Sequence, residues 1–134
     1  MNNPLKFILF ILSLVIMLIS CEDTPYVQGE HLYNTKCGNC HMSDGAGLGG
    51  MVPELYQLTT AMSQQTVCSI LNGRRDTLWS DKSFLVKEMP AFRNLTATEV
   101  SNILNYINHK WTKDFRERSI LEVQEYISNC SPAR

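Results

Sequence analysis

Cys37-Gly38-Asn39-Cys40-His41 decides how this chain is read. Two cysteines separated by two residues, with a histidine directly after the second, is the spacing for covalent attachment of a c-type haem. The two thiols add to the two vinyl groups of the porphyrin. The adjacency of His41 then aims an imidazole nitrogen at the iron as the proximal ligand. Two other chemistries use paired cysteines. A thioredoxin-like redox pair sits in a βαβ setting, and no strand pattern precedes Cys37. A structural zinc site needs a second Cys/His pair at ligand spacing, and Cys68 and Cys130 each stand alone. Cys37, Cys40 and His41 are therefore the expected anchors of one covalent haem c.

Upstream of the motif the chain carries targeting information. Lys6 is followed by a 13-residue apolar run, Phe7 to Ile19, in which Ser13 is the one polar member. A bilayer span takes about 20 residues, so the run fits the apolar core of a secretory signal peptide better. Leu18-Ile19-Ser20-Cys21 resembles a bacterial lipobox, in which cleavage before the cysteine exposes it to lipid. The alternative is an uncleaved anchor helix that ends in cysteine by chance. The small Ser20 and the polar Glu22-Asp23-Thr24-Pro25 favour the lipoprotein. The expected organisation is a signal peptide over 1–20, lipid on Cys21, and a tether over 21–27. A haem-binding domain follows over 28–112, and a helical extension over 113–134. The expected location is the cell envelope, facing the periplasm in a Gram-negative host and held to a membrane by the lipid.

The 134 residues suffice for one modest domain, whose small core a buried macrocycle would supplement. Cleavage before Cys21 removes Lys6 alone among the charged residues, taking the net charge from −1 to −2. No basic stripe points to nucleic acid. Once Cys21, Cys37 and Cys40 are assigned, Cys68 and Cys130 remain. In an exported, oxidising setting a disulfide between them is expected, with two buried free thiols as the alternative.

Downstream and around the motif the pattern is helical. Gly29, Leu32, Tyr33 and Cys37 recur at helical spacing, predicting a helix over 28–36. After His41 the stretch Ser43 to Gly50 holds four glycines in eight residues, which lets backbone pass close to a bulky partner. A phosphate loop would need a strand before it and Lys-Ser/Thr after it, and both are missing. Pro53 follows His41 by twelve residues. Its carbonyl is placed to accept the second imidazole N–H, which orients such a ligand. A helix is expected over 59–72, capped by Thr60, with Met62, Val67, Ile70 and Leu71 as its apolar face and Gly73 as its stop. Arg74 to Glu88 reads as a long polar loop, or a loop with a helical turn. In it Arg74, Arg75 and Trp79 either meet the haem propionates or are simply solvated. Thr96 and Glu99 form a capping box. Val100, Ile103, Leu104, Ile107 and Trp111 then make an amphipathic stripe. A last helix is expected from about Arg116 to Ser128, with Ile120, Leu121, Val123 and Ile127 on one side. It is too short to stand alone.

One histidine leaves a sixth coordination position to be filled, for which Met42, Met51, Met62, Met89, His31 and His109 are the candidates. Met89 is preferred because Pro90 fixes the turn that carries it, whereas a lone methionine on a helix face is usually core.

From Gln28 to Trp111 the chain resembles a class I cytochrome c. The residues that carry the likeness are Cys37-Gly38-Asn39-Cys40-His41, the glycine-rich loop ending in Pro53-Glu54-Leu55, Met89-Pro90-Ala91-Phe92, and Ile103-Leu104-Asn105-Tyr106-Ile107. The resemblance implies an all-α fold wrapped around one haem, here with an extra C-terminal helix, and Gly29 and Tyr33 crossing Ile103 and Tyr106. It also implies His41/Met89 ligation and single-electron transfer. With the export signal, the expected partners are redox proteins of the cell envelope, with no small-molecule substrate. Two rivals stay open. One is a haem subunit of a larger oxidoreductase, read from the extension beyond Thr112. The other is a small haem enzyme or sensor with an open sixth site.

Overall fold

The computed structural model describes residues 4–18, 25–49, 51–56, 63–80, 83–112 and 115–131. Among these residues six helices and one hairpin run in the order α1 Pro4–Leu18, α2 Val27–Lys36, α3 Gly38–His41, α4 Gln64–Asn72, β1 Arg74–Ser80, β2 Ser83–Met89, α5 Ala97–Trp111 and α6 Ile120–Ser128. The fold is all-α with little strand. Among the described residues no helix is long and apolar enough to cross a membrane. Cys21 lies outside the described residues, as do Thr60 and Met62.

Helix α5 is the axis of the core. Thr96 caps it: the Thr96 hydroxyl accepts from the Glu99 N–H at 3.2 Å, and the Glu99 carboxylate accepts from the Thr96 N–H at 2.8 Å. Its apolar stripe is spent on packing. Val100, Ile103, Leu104 and Ile107 are buried and Trp111 is half-buried, each full burial contributing roughly 1.5–3 kcal/mol. Helix α2 crosses α5 at Gly29, where an added Cβ would lie 2.1 Å from the Asn102 carbonyl oxygen and 2.8 Å from Tyr106 Cβ. Only glycine allows that approach. One turn on, the Tyr33 ring packs 5.5 Å from Tyr106 and 5.2 Å from Trp111, centroid to centroid.

Helix α4 starts at Gln64, with Ser63 as its cap. It ends at Gly73, whose φ of +75° is open to glycine and strained for other residues. The stretch expected as a loop is an antiparallel hairpin, β1 against β2, in the register Arg74↔Met89 to Ser80↔Ser83. The reason lies in pairing. Arg75 stands opposite Glu88, Asp76 opposite Lys87, Thr77 opposite Val86, and Trp79 opposite Phe84. Opposite charges hold paired register positions in this ladder, an arrangement that stabilises sheets.

The last helix also begins later than expected, at Ile120 rather than Arg116. Residues 116–118 stay outside the helix because α5 claims their backbone. Ser101 Oγ and Asn105 Nδ2 donate to the Arg118 carbonyl at 2.8 and 3.0 Å. Arg118 N–H donates to Asn105 Oδ1 at 2.8 Å, and Asn108 Nδ2 donates to the Arg116 carbonyl at 2.8 Å. Ser119 then caps α6, accepting from the Glu122 N–H at 3.2 Å. Val123 is fully buried. The tail is fastened to α4, with Cys68 and Cys130 at disulfide distance. Two side-chain bonds lie beside them, Gln64 Nε2 to the Asn129 carbonyl at 3.4 Å and Asn72 Nδ2 to the Ser131 carbonyl at 2.8 Å.

Candidate functional site

Helix α2 stops at Lys36, and the chain turns through Cys37 into the single-turn α3. Cys40 and His41 N–H groups both donate to the Cys37 carbonyl, at 3.1 and 2.9 Å. Residues three and four apart share one side of a helical turn, so Cys37, Cys40 and His41 are brought to one face. Neither thiol is engaged in a disulfide: Cys37 is half-buried and Cys40 exposed. Burial pushes the Cys37 thiol up to about 11; Cys40 adds to the rise and Lys36 opposes it. It therefore stays protonated at neutral pH. Burial lowers His41, against the opposing bond to Pro53, which favours the neutral, metal-binding imidazole.

His41 Nδ1 lies 3.1 Å from the Pro53 carbonyl oxygen. With Nδ1 donating there, Nε2 is the nitrogen left for a metal. The glycine-rich loop makes this contact possible. An added Cβ on Gly47 would lie 2.3 Å from the Val52 carbonyl oxygen and 2.9 Å from that of Pro53. Gly45, at φ +74°, lies so close to Trp111 that a Cβ would meet the indole at 3.0 Å. Leu55 N–H closes the loop onto the Gly45 carbonyl at 2.8 Å.

Met89 ends β2 at the base of the hairpin, half-buried against the core. Gly73 lets the chain pack there, since a Cβ on it would sit 2.7 Å from the Met89 carbonyl oxygen. Phe92 N–H donates to the Ile70 carbonyl at 2.9 Å and ties the following turn to α4. The rival ligands are disposed differently. His31 is exposed on α2, Met51 is 46% exposed, and Met42 is half-buried beside His41. His109 is exposed, its ring 5.4 Å from both Tyr26 and Phe115. Arg74 is turned to Asp76, in an exposed ion pair at 2.7 Å.

These residues fit a covalent haem. The two free thiols and His41 share a face, and the imidazole is already oriented by Pro53. Leu48 and Met51, in the loop beyond His41, are 44% and 46% exposed. That is apolar surface which a flat macrocycle would cover. The family described as Cytochrome c matches residues 26–111. The chain belongs to the cytochrome c family. Membership implies haem c, covalently bound, and haem-based electron transfer by a carrier that is generally non-enzymatic. No curated relative matches the chain.

Two groups escaped the sequence reading. The Tyr33 hydroxyl donates to the Met42 carbonyl at 2.6 Å. A buried tyrosine, unlike phenylalanine, needs a polar partner, and that was the available signal. Ser101, Asn105 and Asn108 form a buried polar row on α5. Polar residues at helical spacing beside an apolar stripe announce a second docking face.

Proposed function

We propose that this cytochrome c is a lipid-anchored, monohaem electron carrier of the class I type, with His41 and Met89 as axial ligands. Haem c, when bound, supplies a one-electron ferrous/ferric couple. Cys37 and Cys40 hold it covalently, and His41 presents Nε2 while Pro53 fixes its tautomer. Met89 offers a thioether, which favours the reduced state and raises the potential. With His41 and Met89 both given to the metal, the bound group would pass single electrons between protein partners, and this chain would leave no position there for a substrate. Its partners are redox proteins of the cell envelope, met through small, transient interfaces. Lipid on Cys21 raises its effective concentration near membrane-bound partners. In this organisation 21–27 is the tether, 28–112 the cytochrome domain and 113–134 an extension, of which residues 115–131 fold back on α5.

The observation that carries this reading is His41 held by the Pro53 carbonyl on the same turn as two free thiols. The half-buried, proline-flanked Met89 supports the sixth ligand. Met89→Ala is the test. The variant is expected to keep its haem, show a lower potential and bind carbon monoxide rapidly in the reduced state. An unchanged potential would remove Met89 as ligand. Rapid carbon monoxide binding by the unaltered protein would favour the open-site enzyme or sensor. For the anchor, Cys21→Ala is expected to abolish labelling by a fatty-acid analogue; normal labelling would rule out the lipobox.

A further inference from the structure

Met42, directly after His41, has φ 62° and ψ 159°, a region essentially confined to glycine. It alone among the described non-glycine residues has positive φ. Something must hold it there. Its carbonyl oxygen is reached from two sides, by the Tyr33 hydroxyl at 2.6 Å and by the Gly45 N–H at 3.2 Å. Tyr33 is 0% exposed, with its ring set against Tyr106 and Trp111, so its hydroxyl is aimed by the core rather than by solvent.

The turn so held leads back to the ligand. The His41 carbonyl accepts from the Gly47 N–H at 3.1 Å. Gly47 backs onto the Val52 and Pro53 carbonyls, and the Pro53 carbonyl takes the bond from His41 Nδ1. Backbone contacts thus close a circuit from the Met42 turn around to the imidazole. We infer that Tyr33 is a positioning residue for the proximal histidine. Its hydroxyl keeps Met42 in a glycine-type conformation, and that conformation fixes where the His41 imidazole and the Pro53 carbonyl meet. The inference rests on His41 as the haem ligand. It makes the Tyr33 hydroxyl necessary because position 42 is methionine; a glycine there would hold the turn unaided.

The test is hydrogen exchange of the His41 Nδ1 proton, followed by NMR in the ferrous holoprotein. Tyr33→Phe is expected to speed that exchange by about tenfold while the α5 amides around Ile103 keep their protection. Adding Met42→Gly should recover at least about threefold of the loss. Unchanged Nδ1 protection in Tyr33→Phe would overturn the inference, as would failure of Met42→Gly to rescue. Acceleration shared equally with the α5 amides would also overturn it, since that is general core loosening. Should Tyr33→Phe not fold, Met42→Gly alone decides. It should raise the guanidinium midpoint of the holoprotein, and an equal or lower midpoint refutes the strained turn. A wild-type protein without covalent haem would instead sink the haem reading itself, and is seen before any variant is made.

Discussion

Around His41, residues 33–49 and 51–55 are kept in place by backbone bonds, glycines and one tyrosine hydroxyl, and large apolar side chains such as Leu48 and Met51 stay uncovered. The 115–131 segment is kept in place by other means. Buried Asn105 and Asn108 grip its backbone, Val123 enters the core, and Cys130 reaches Cys68. Both segments fold back on α5, the first through Gly45 on Trp111 and the second through the polar row. The His41 side leaves apolar surface for a prosthetic group to cover, whereas the 115–131 side is held by its own contacts with α4 and α5.

Replacing both Cys37 and Cys40 by alanine should break the first side most severely. The protein is expected to carry no covalent haem and to lose most α2–α3 structure, read by the pyridine haemochrome assay and circular dichroism. The Cys68–Cys130 bond should survive, and its loss together with the haem would erase the distinction between the two sides. On the second side, Cys68→Ser with Cys130→Ser opens a loop of 62 residues. Loop closure of that length contributes about 4 kcal/mol in the chain-entropy model. Urea unfolding should show a loss of that order with the haem spectrum unaltered. Thiol titration of the denatured, unreduced wild type is its companion, and two reactive thiols would mean the bond is absent.

Asn105→Ala should come next. It strips partners from the Arg118 N–H and carbonyl, and a buried polar group left unpaired costs about 1–3 kcal/mol. The same unfolding experiment reads it, and a loss well below that range would show that water replaces the side chain.

The smallest effect belongs to α5 itself. Hydrogen bonds from the Thr96 backbone and hydroxyl hold the Glu99 carboxyl below its usual range. A depressed carboxyl stabilises fully above its unfolded pKa, and the benefit fades as pH falls through the folded value. Glu99→Gln should therefore flatten part of the acid limb of stability below about pH 4.5, and an unaltered limb would contradict the capping role.

What could be read beforehand follows from how local each signal is. The capping box and stripe of α5 are written within one helix, and the His41–Pro53 spacing within one loop. The hairpin could not be read that way, because its evidence is a correspondence between two stretches. Arg75 means little until Glu88 is set opposite it, and polar residues at both ends suggested solvent. The start of α6 was lost for a similar reason. Arg116 to Ser119 has ordinary helix formers, but Asn105 and Asn108 on another element take their backbone. The Met42 conformation was hidden because nothing in a methionine announces a glycine-type turn; only the hydroxyl of buried Tyr33 hinted at it.

One haem bonded to the cysteines flanking Gly38-Asn39 underlies every role assigned above. Mass spectrometry of the matured protein, with sequencing of the peptide spanning 37–41, tests it most directly. The expected result is the added mass of a single haem, confined to that peptide and resistant to acid-acetone extraction. A mature chain of unmodified mass, with both thiols free, would contradict it.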